Sequence, residues 1–123
     1  MAKILIADDE PEVLDFCRFS LQKLSHDLVE VQSGQDLIGK IKSEKPDLLI
    51  LDVMLPGMDG YTVQLQMAED GALSKIPVIV ITALKPAESL FEKFPQVASV
   101  LSKPFSSERL AEAVREALSG SRK

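Results

Sequence analysis

Residues 48–60 read LLILDVMLPGMDG. Four successive apolar residues, Leu48 to Leu51, suit a strand buried on both faces, because a strand with one face in water alternates apolar and polar positions. The next residue, Asp52, is a carboxylate at the mouth of that strand, where an ionised acid is costly unless something pairs with it. Pro56-Gly57 and Asp59-Gly60 are turn signals. A helix is expected from there to about Glu69, closed by Asp70-Gly71.

The same alternation of short apolar runs and helical spacing extends in both directions. Upstream, Ile4 to Ala7 reads as a first strand, and a helix from about Pro11 to Lys23 carries Leu14, Cys17, Leu21 and Leu24 along one face. Leu28 to Val31 is a second strand, placed near an edge because it contains Glu30. Ser33-Gly34 turns into a short helix with Leu37, Ile38 and Ile41, which Lys45-Pro46 ends, since the residue before proline is pushed out of the α region. Downstream, Val78 to Ile81 and Val97 to Ser102 are the fourth and fifth strands. The last helix has the clearest pattern, with Leu110, Ala113, Val114, Ala117 and Leu118 on one face and charged residues opposite. Residues 1–119 are expected to form one domain and 120–123 a tail.

Five strands alternating with helices imply parallel pairing, and apolar strands need cover on both faces. The expected fold class is therefore α/β, a three-layer sandwich with helices on both sides of a five-stranded parallel sheet. A chain of 123 residues, 46% hydrophobic, can bury one core without disulfides or a structural metal. The single Cys17 excludes a disulfide framework within one chain and favours a reducing, cytoplasmic setting. No apolar run approaches the roughly 18 residues of a membrane helix. A net charge of −5 argues against broad nucleic-acid binding and against anionic membranes.

In doubly wound sheets ligands sit beyond the carboxyl ends of the strands. The first strand ends in Asp8-Asp9, the third in Asp52, the fourth in Thr82 and the fifth in Ser102-Lys103. A helix start accounts for Glu10, as a possible cap, and for Pro11 at the first helical position, but leaves Asp8 and Asp9 unexplained. Three carboxylates brought together repel unless a cation sits among them. Mg2+ fits best, because it takes oxygen ligands from one or two carboxylates and from phosphate. A carboxylate beside a divalent cation, a lysine and a hydroxyl is equipped to accept a phosphoryl group, which makes Asp52 the expected phosphoacceptor.

The motifs ILIADDEP, PDLLILDVMLPGMDG, IPVIVITA and LSKPF, in this order, resemble the receiver domain of two-component response regulators from about Lys3 to Leu118. The resemblance implies a strand order of 2-1-3-4-5 and phosphoryl transfer from the phosphohistidine of a histidine kinase or phosphotransfer protein. It assigns Asp52 as the phosphorylated residue and a metal ligand, Asp9 as a direct Mg2+ ligand, Asp8 as a ligand acting mainly through water, and the backbone carbonyl of Met54 as a further ligand. Lys103 would pair with the phosphoryl group, and Pro104 would follow a cis peptide bond. Thr82 would move toward the phosphoryl group, changing the partners of the surface made by helix 4, strand 5 and helix 5.

The chain departs from that pattern in three places. Val100 stands three residues before Lys103, where the family usually has a Tyr or Phe that swings inward. Pro86 and Pro95 frame a fourth helix of only about nine residues. Its Leu90, Phe91 and Phe94 have the spacing of core contacts. Met54 and Leu84, which flank the phosphoryl site, are apolar, so the acyl phosphate is expected to be long-lived.

His26, in a Ser-His-Asp turn, reads as a solvated loop residue, and Cys17 as core. A phosphatase or phosphotransferase acting on a small molecule would need an acid two residues after Asp52 and a substrate cap. A flavodoxin-like carrier would need a phosphate-cradling loop after the first strand, where this chain has acids. A phosphorylation-insensitive binding module is the remaining alternative, and it has no use for the set Asp8, Asp9, Asp52, Thr82 and Lys103.

Overall fold

A computed structural model describes residues 2–83 and 87–119. The elements run β1 (Lys3–Ala7), α1 (Pro11–Leu21), β2 (Asp27–Val31), α2 (Leu37–Glu44), β3 (Leu48–Asp52), α3 (Gly60–Ala68), β4 (Val78–Thr82), α4 (Ala87–Glu92), β5 (Val97–Ser102) and α5 (Ser107–Leu118). The strands form one parallel sheet in the order 2-1-3-4-5. Both the three-layer class and the strand order expected from the sequence are met.

The period-two alternation of strand side chains divides the interior into two cores. Leu5, Ala7, Leu49, Leu51, Val78 and Val80 face α2, α3 and α4, where Leu37, Ile41, Val63, Met67 and Phe91 cover them. Ile4, Ile6, Leu48, Ile50, Ile79 and Ile81 face α1 and α5, where Leu14, Cys17, Leu21, Leu110, Val114 and Ala117 pack. This two-sided burial is why these strands lack polar positions. β2 is an edge strand as Glu30 suggested, and Arg18 of α1 pairs with that carboxylate.

Several boundaries shift. α1 ends at Leu21, and Gln22–Leu24 tighten into a 3-10 turn that Ser25 closes in the left-handed region (φ 59°). α2 does not shift: it ends at Glu44, capped by the left-handed Lys45 (φ 50°) before Pro46, where the sequence placed its stop. α4 has six residues where about nine were expected. Phe94 precedes Pro95 and is therefore disfavoured in a helix, so the chain leaves α4 through a turn in which Phe94 N–H donates to Phe91 O. Phe91 and Phe94 are buried, as their spacing suggested, while Leu90 is exposed. Leu84, Pro86 and the tail over 120–123 lie outside the described residues.

Candidate functional site

The strand order makes β1 and β3 neighbours whose following segments leave for opposite faces, β1 into α1 and β3 into α3. That divergence opens a crevice at their carboxyl ends. Asp8, just after β1, and Asp52, at the end of β3, stand on its two sides. Asp8 is fully buried and Asp52 nearly so. A cleft of about 380 Å3 is lined by Asp9, Glu10, Asp52, Met54, Ala83 and Lys103.

Lys103 holds the acids together. The Lys103–Pro104 peptide is cis, as expected, and Lys103 N–H donates to Thr82 O at 2.8 Å. Its Nζ lies 3.1 Å from Asp8 Oδ2, 3.0 Å from Glu10 Oε1 and 3.5 Å from Asp52 Oδ2. Burial alone would lower the Lys103 pKa, but hydrogen bonds to Glu10 and Asp8 and the charges of Asp52 and Asp8 outweigh it, leaving the ammonium more firmly protonated than usual. Asp52 moves the other way. Burial, reinforced by the negative charge of Asp8, pushes it up to about 6, against the opposing pull of Lys103 and of the Met54 N–H that donates to its Oδ1 at 3.2 Å.

Local backbone fixes Asp52 from behind. Val53 N–H donates to Ile81 O, and Gly60 N–H donates to Val53 O at 2.7 Å. A Cβ on Gly60 would come within 2.7 Å of Val53 Cα and 2.8 Å of Asp52 O, so only glycine lets α3 start this close to the site. Asp59 caps that helix, its Oδ1 accepting from Thr62 N–H.

The sequence-predicted residues distribute unevenly. Asp8, Asp52 and Lys103 converge. Thr82 is buried at the end of β4, in register with Ser102. Asp9 is exposed on the cleft rim, and Met54 lies beside it, 61% exposed to solvent. The third member of the tight carboxylate group is Glu10: its oxygen and those of Asp8 and Asp52 lie within 4.8 Å of one another. The sequence reading assigns Glu10 to the helix start, and it does occupy the N-cap position, but without a side-chain capping bond. With its backbone extended before Pro11, its carboxylate is free to reach Lys103, and its N–H donates to Asp8 Oδ1. The signal was the uninterrupted acid run Asp8-Asp9-Glu10. Cys17, in the core, has its thiol pushed up to about 12 by burial and then by Asp8, which leaves it unreactive. His26 is half-buried, its Nδ1 accepting from Ala2 N–H at 3.0 Å.

A parallel doubly wound domain with a lysine-bridged acidic cleft at its switch point defines the class of this protein: a small α/β module built to gather cation and anion chemistry at one sheet edge. The chain belongs to the response regulator receiver domains, whose family profile matches residues 4–115. It is 31% identical to Protein PilH of Pseudomonas aeruginosa over 98% of this chain and all of PilH. It is 34% identical to the DNA-binding dual master transcriptional regulator RpaA of Synechocystis over 96% of this chain but only 49% of RpaA. Among solved structures, a response regulator from Chloroflexus aurantiacus superposes with a TM-score of 0.89 at 27% identity, covering 96% of this chain and 98% of that one. The protein thus carries the receiver domain of a two-component response regulator, a signalling module. No helix among the described residues is long and apolar enough to cross a membrane.

Proposed function

We propose that this protein is a phosphorylation-dependent switch of a cytoplasmic two-component phosphorelay, in which Asp52 accepts a phosphoryl group from a histidine kinase or phosphotransfer protein. The observation that carries this reading is a nearly buried carboxylate, Asp52, held at the sheet's switch point between a second buried carboxylate, Asp8, and the ammonium of Lys103.

With its pKa about 6, Asp52 is mostly ionised near neutral pH and poorly solvated, both of which suit a nucleophile. One of its oxygens attacks phosphorus; the new P–O bond forms as the P–N bond to the donor imidazole breaks, and the imidazole nitrogen keeps the electron pair. Lys103 turns from Asp52 to an oxygen of the transferred group, and Thr82 supplies a hydroxyl to another. The donor atoms fit a hard dication: among the described residues the grouped ligands are all carboxylates, with no Cys or His. Asp8, Asp9, Asp52 and the Met54 carbonyl would hold Mg2+, which would supply positive charge to offset the phosphoryl oxygens. An apolar cleft lined by Val13, Phe16, Pro104 and Phe105 borders Lys103 and gives a donor protein a surface to rest on. The face of α4, β5 and α5 carries the output to a downstream protein. Neither nucleic acid nor membrane is a partner of this domain.

Intact mass after incubation with acetyl phosphate and Mg2+, beside Asp52→Asn and a metal-free control, tests the reading. Gain of one phosphoryl group only in the unmutated, metal-loaded protein is expected. No gain from acetyl phosphate or from any phosphohistidine donor would replace the switch with a phosphorylation-insensitive binding module.

A further inference from the structure

The β5 position where an aromatic ring would swing is Val100, half-buried against the α2–α4 side core. The rings stand elsewhere. Tyr61, on the first turn of α3, packs edge-on against Phe91 of α4 (5.7 Å between centroids) and against Phe94 just beyond it (5.9 Å). Lys93 Nζ covers the outer side, 5.5 Å from the Tyr61 ring and 5.7 Å from that of Phe94. One turn further along α3, buried Gln64 donates from Nε2 to Gln96 Oε1 at 2.8 Å. Gln96 in turn donates to the Leu73 and Ile76 carbonyls. Tyr61 and Gln64 thus grip the two ends of the short segment that joins α4 to β5.

Two of the chain segments that leave the acidic cleft, those after β3 and β4, lead to the elements joined at this grip. Gly60, next to Tyr61, abuts the backbone of Asp52 and Val53. Ala83, which lines the cleft, follows β4 on the way to α4. A helix of six residues has little stability of its own and depends on its tertiary contacts. The grip is also imperfect, because Gln64 Oε1 is buried without a hydrogen-bond partner.

We propose that Tyr61 couples the Asp52 site to α4: loading the cleft loosens the Tyr61–Phe91–Phe94 cluster and frees α4, a route that needs no aromatic ring on β5. This rests on Asp52 being the phosphoacceptor.

The protein offers its own reporter, since Tyr61 is its only tyrosine and it has no tryptophan. Tyrosine emission and its quenching by acrylamide are followed while intact mass records phosphoryl gain from acetyl phosphate and Mg2+. Increased quenching in step with the mass gain is expected; phosphoryl gain with unchanged or reduced quenching overturns the coupling while leaving the phosphoacceptor reading intact. Absence of mass gain would instead be a failure of that reading. Hydrogen exchange over 87–94 supplies the second test. In the unmutated protein it should quicken on loading by about tenfold, within the ~5–150-fold range of coupled sites. In Tyr61→Leu, exchange there should be fast before loading and respond little to it, although Asp52 is still phosphorylated. An equal response in Tyr61→Leu overturns the proposal. If that variant fails to fold, the quenching result on the unmutated protein decides.

Discussion

Asp52→Asn should make the metal-free protein more stable, and only above the acid range. Folding raises the Asp52 pKa from 3.8 to about 6, chiefly through burial. At about 1.36 kcal/mol per pH unit, the shift corresponds to roughly 3 kcal/mol. Between those two values the folded protein holds a proton that the unfolded chain has released, so stability falls as pH rises through this window and stays reduced above it. The asparagine amide has no such proton to lose, and Lys103 keeps its bonds to Asp8 and Glu10. The stability difference between variant and parent should therefore grow from near zero at about pH 4 to roughly 3 kcal/mol at about pH 7.5. Urea unfolding in the presence of EDTA reads this as a midpoint shift of ~1–2 M. Mg2+ should stabilise the parent and leave Asp52→Asn nearly unchanged. An Asp52→Asn protein that is less stable than its parent, or better by the same amount at every pH, would refute burial as the source of the Asp52 shift.

Lys103→Gln leaves the fully buried Asp8 without its cationic partner and should cost ~3–5 kcal/mol in EDTA, with part of the loss recovered by Mg2+ in the same urea assay. Gly34→Ala should destabilise by ~1–3 kcal/mol and slow phosphorylation, because the new Cβ would lie 2.2 Å from the backbone oxygen of Met58 in the loop after Asp52. Gly39→Ala, in the interior of α2 with nothing within 4 Å of its Cβ, should gain ~1 kcal/mol by comparison. The acyl phosphate should outlast seconds in purified protein, because Met54 puts an apolar side chain at the cleft where a polar one would orient water; rapid loss of the phosphoryl mass would contradict this.

The sheet was legible because burial on both faces leaves a mark that no other element shares: runs such as Leu48 to Leu51 and Val78 to Ile81 have no polar position. Once parallel pairing follows, the ends of β1, β3, β4 and β5 name Asp8, Asp9, Asp52, Thr82 and Lys103, whereas the strand order itself came only from the family resemblance. What escaped the sequence depended on backbone direction over one or two residues. Glu10 reads as a cap because acids before Pro11 favour a helix start; its extended backbone sends the carboxylate to Lys103 instead. The 3-10 turn after α1 and the early end of α4 are likewise set where Ser25 turns left-handed and Pro95 forbids another turn. The grip of Gln64 on Gln96, 32 residues apart, has no sequence signal, since a glutamine on a helix is ordinarily a surface residue.

The charge in the cleft also sets an order of events. Among the described residues, Asp8, Glu10 and Asp52 present three carboxylates to one ammonium, with Asp9 on the rim adding to the excess. A phosphoryl donor, itself anionic, meets net repulsion there until a dication is bound, and the low local dielectric around Asp8 and Asp52 sharpens it. Lys103 cannot serve both needs at once: while its ammonium bridges Asp8 and Glu10, it already has two carboxylate partners and is held by them. Binding of Mg2+ by the acids would weaken that hold and free Lys103 for the phosphoryl oxygens. Phosphorylation at fixed acetyl phosphate should accordingly rise with Mg2+ and saturate with the same midpoint as Mg2+ stabilisation in urea, and fall as salt screens the cleft only when Mg2+ is below saturation. Two separate midpoints would mean that the cation that stabilises the fold is not the one that admits the phosphoryl group.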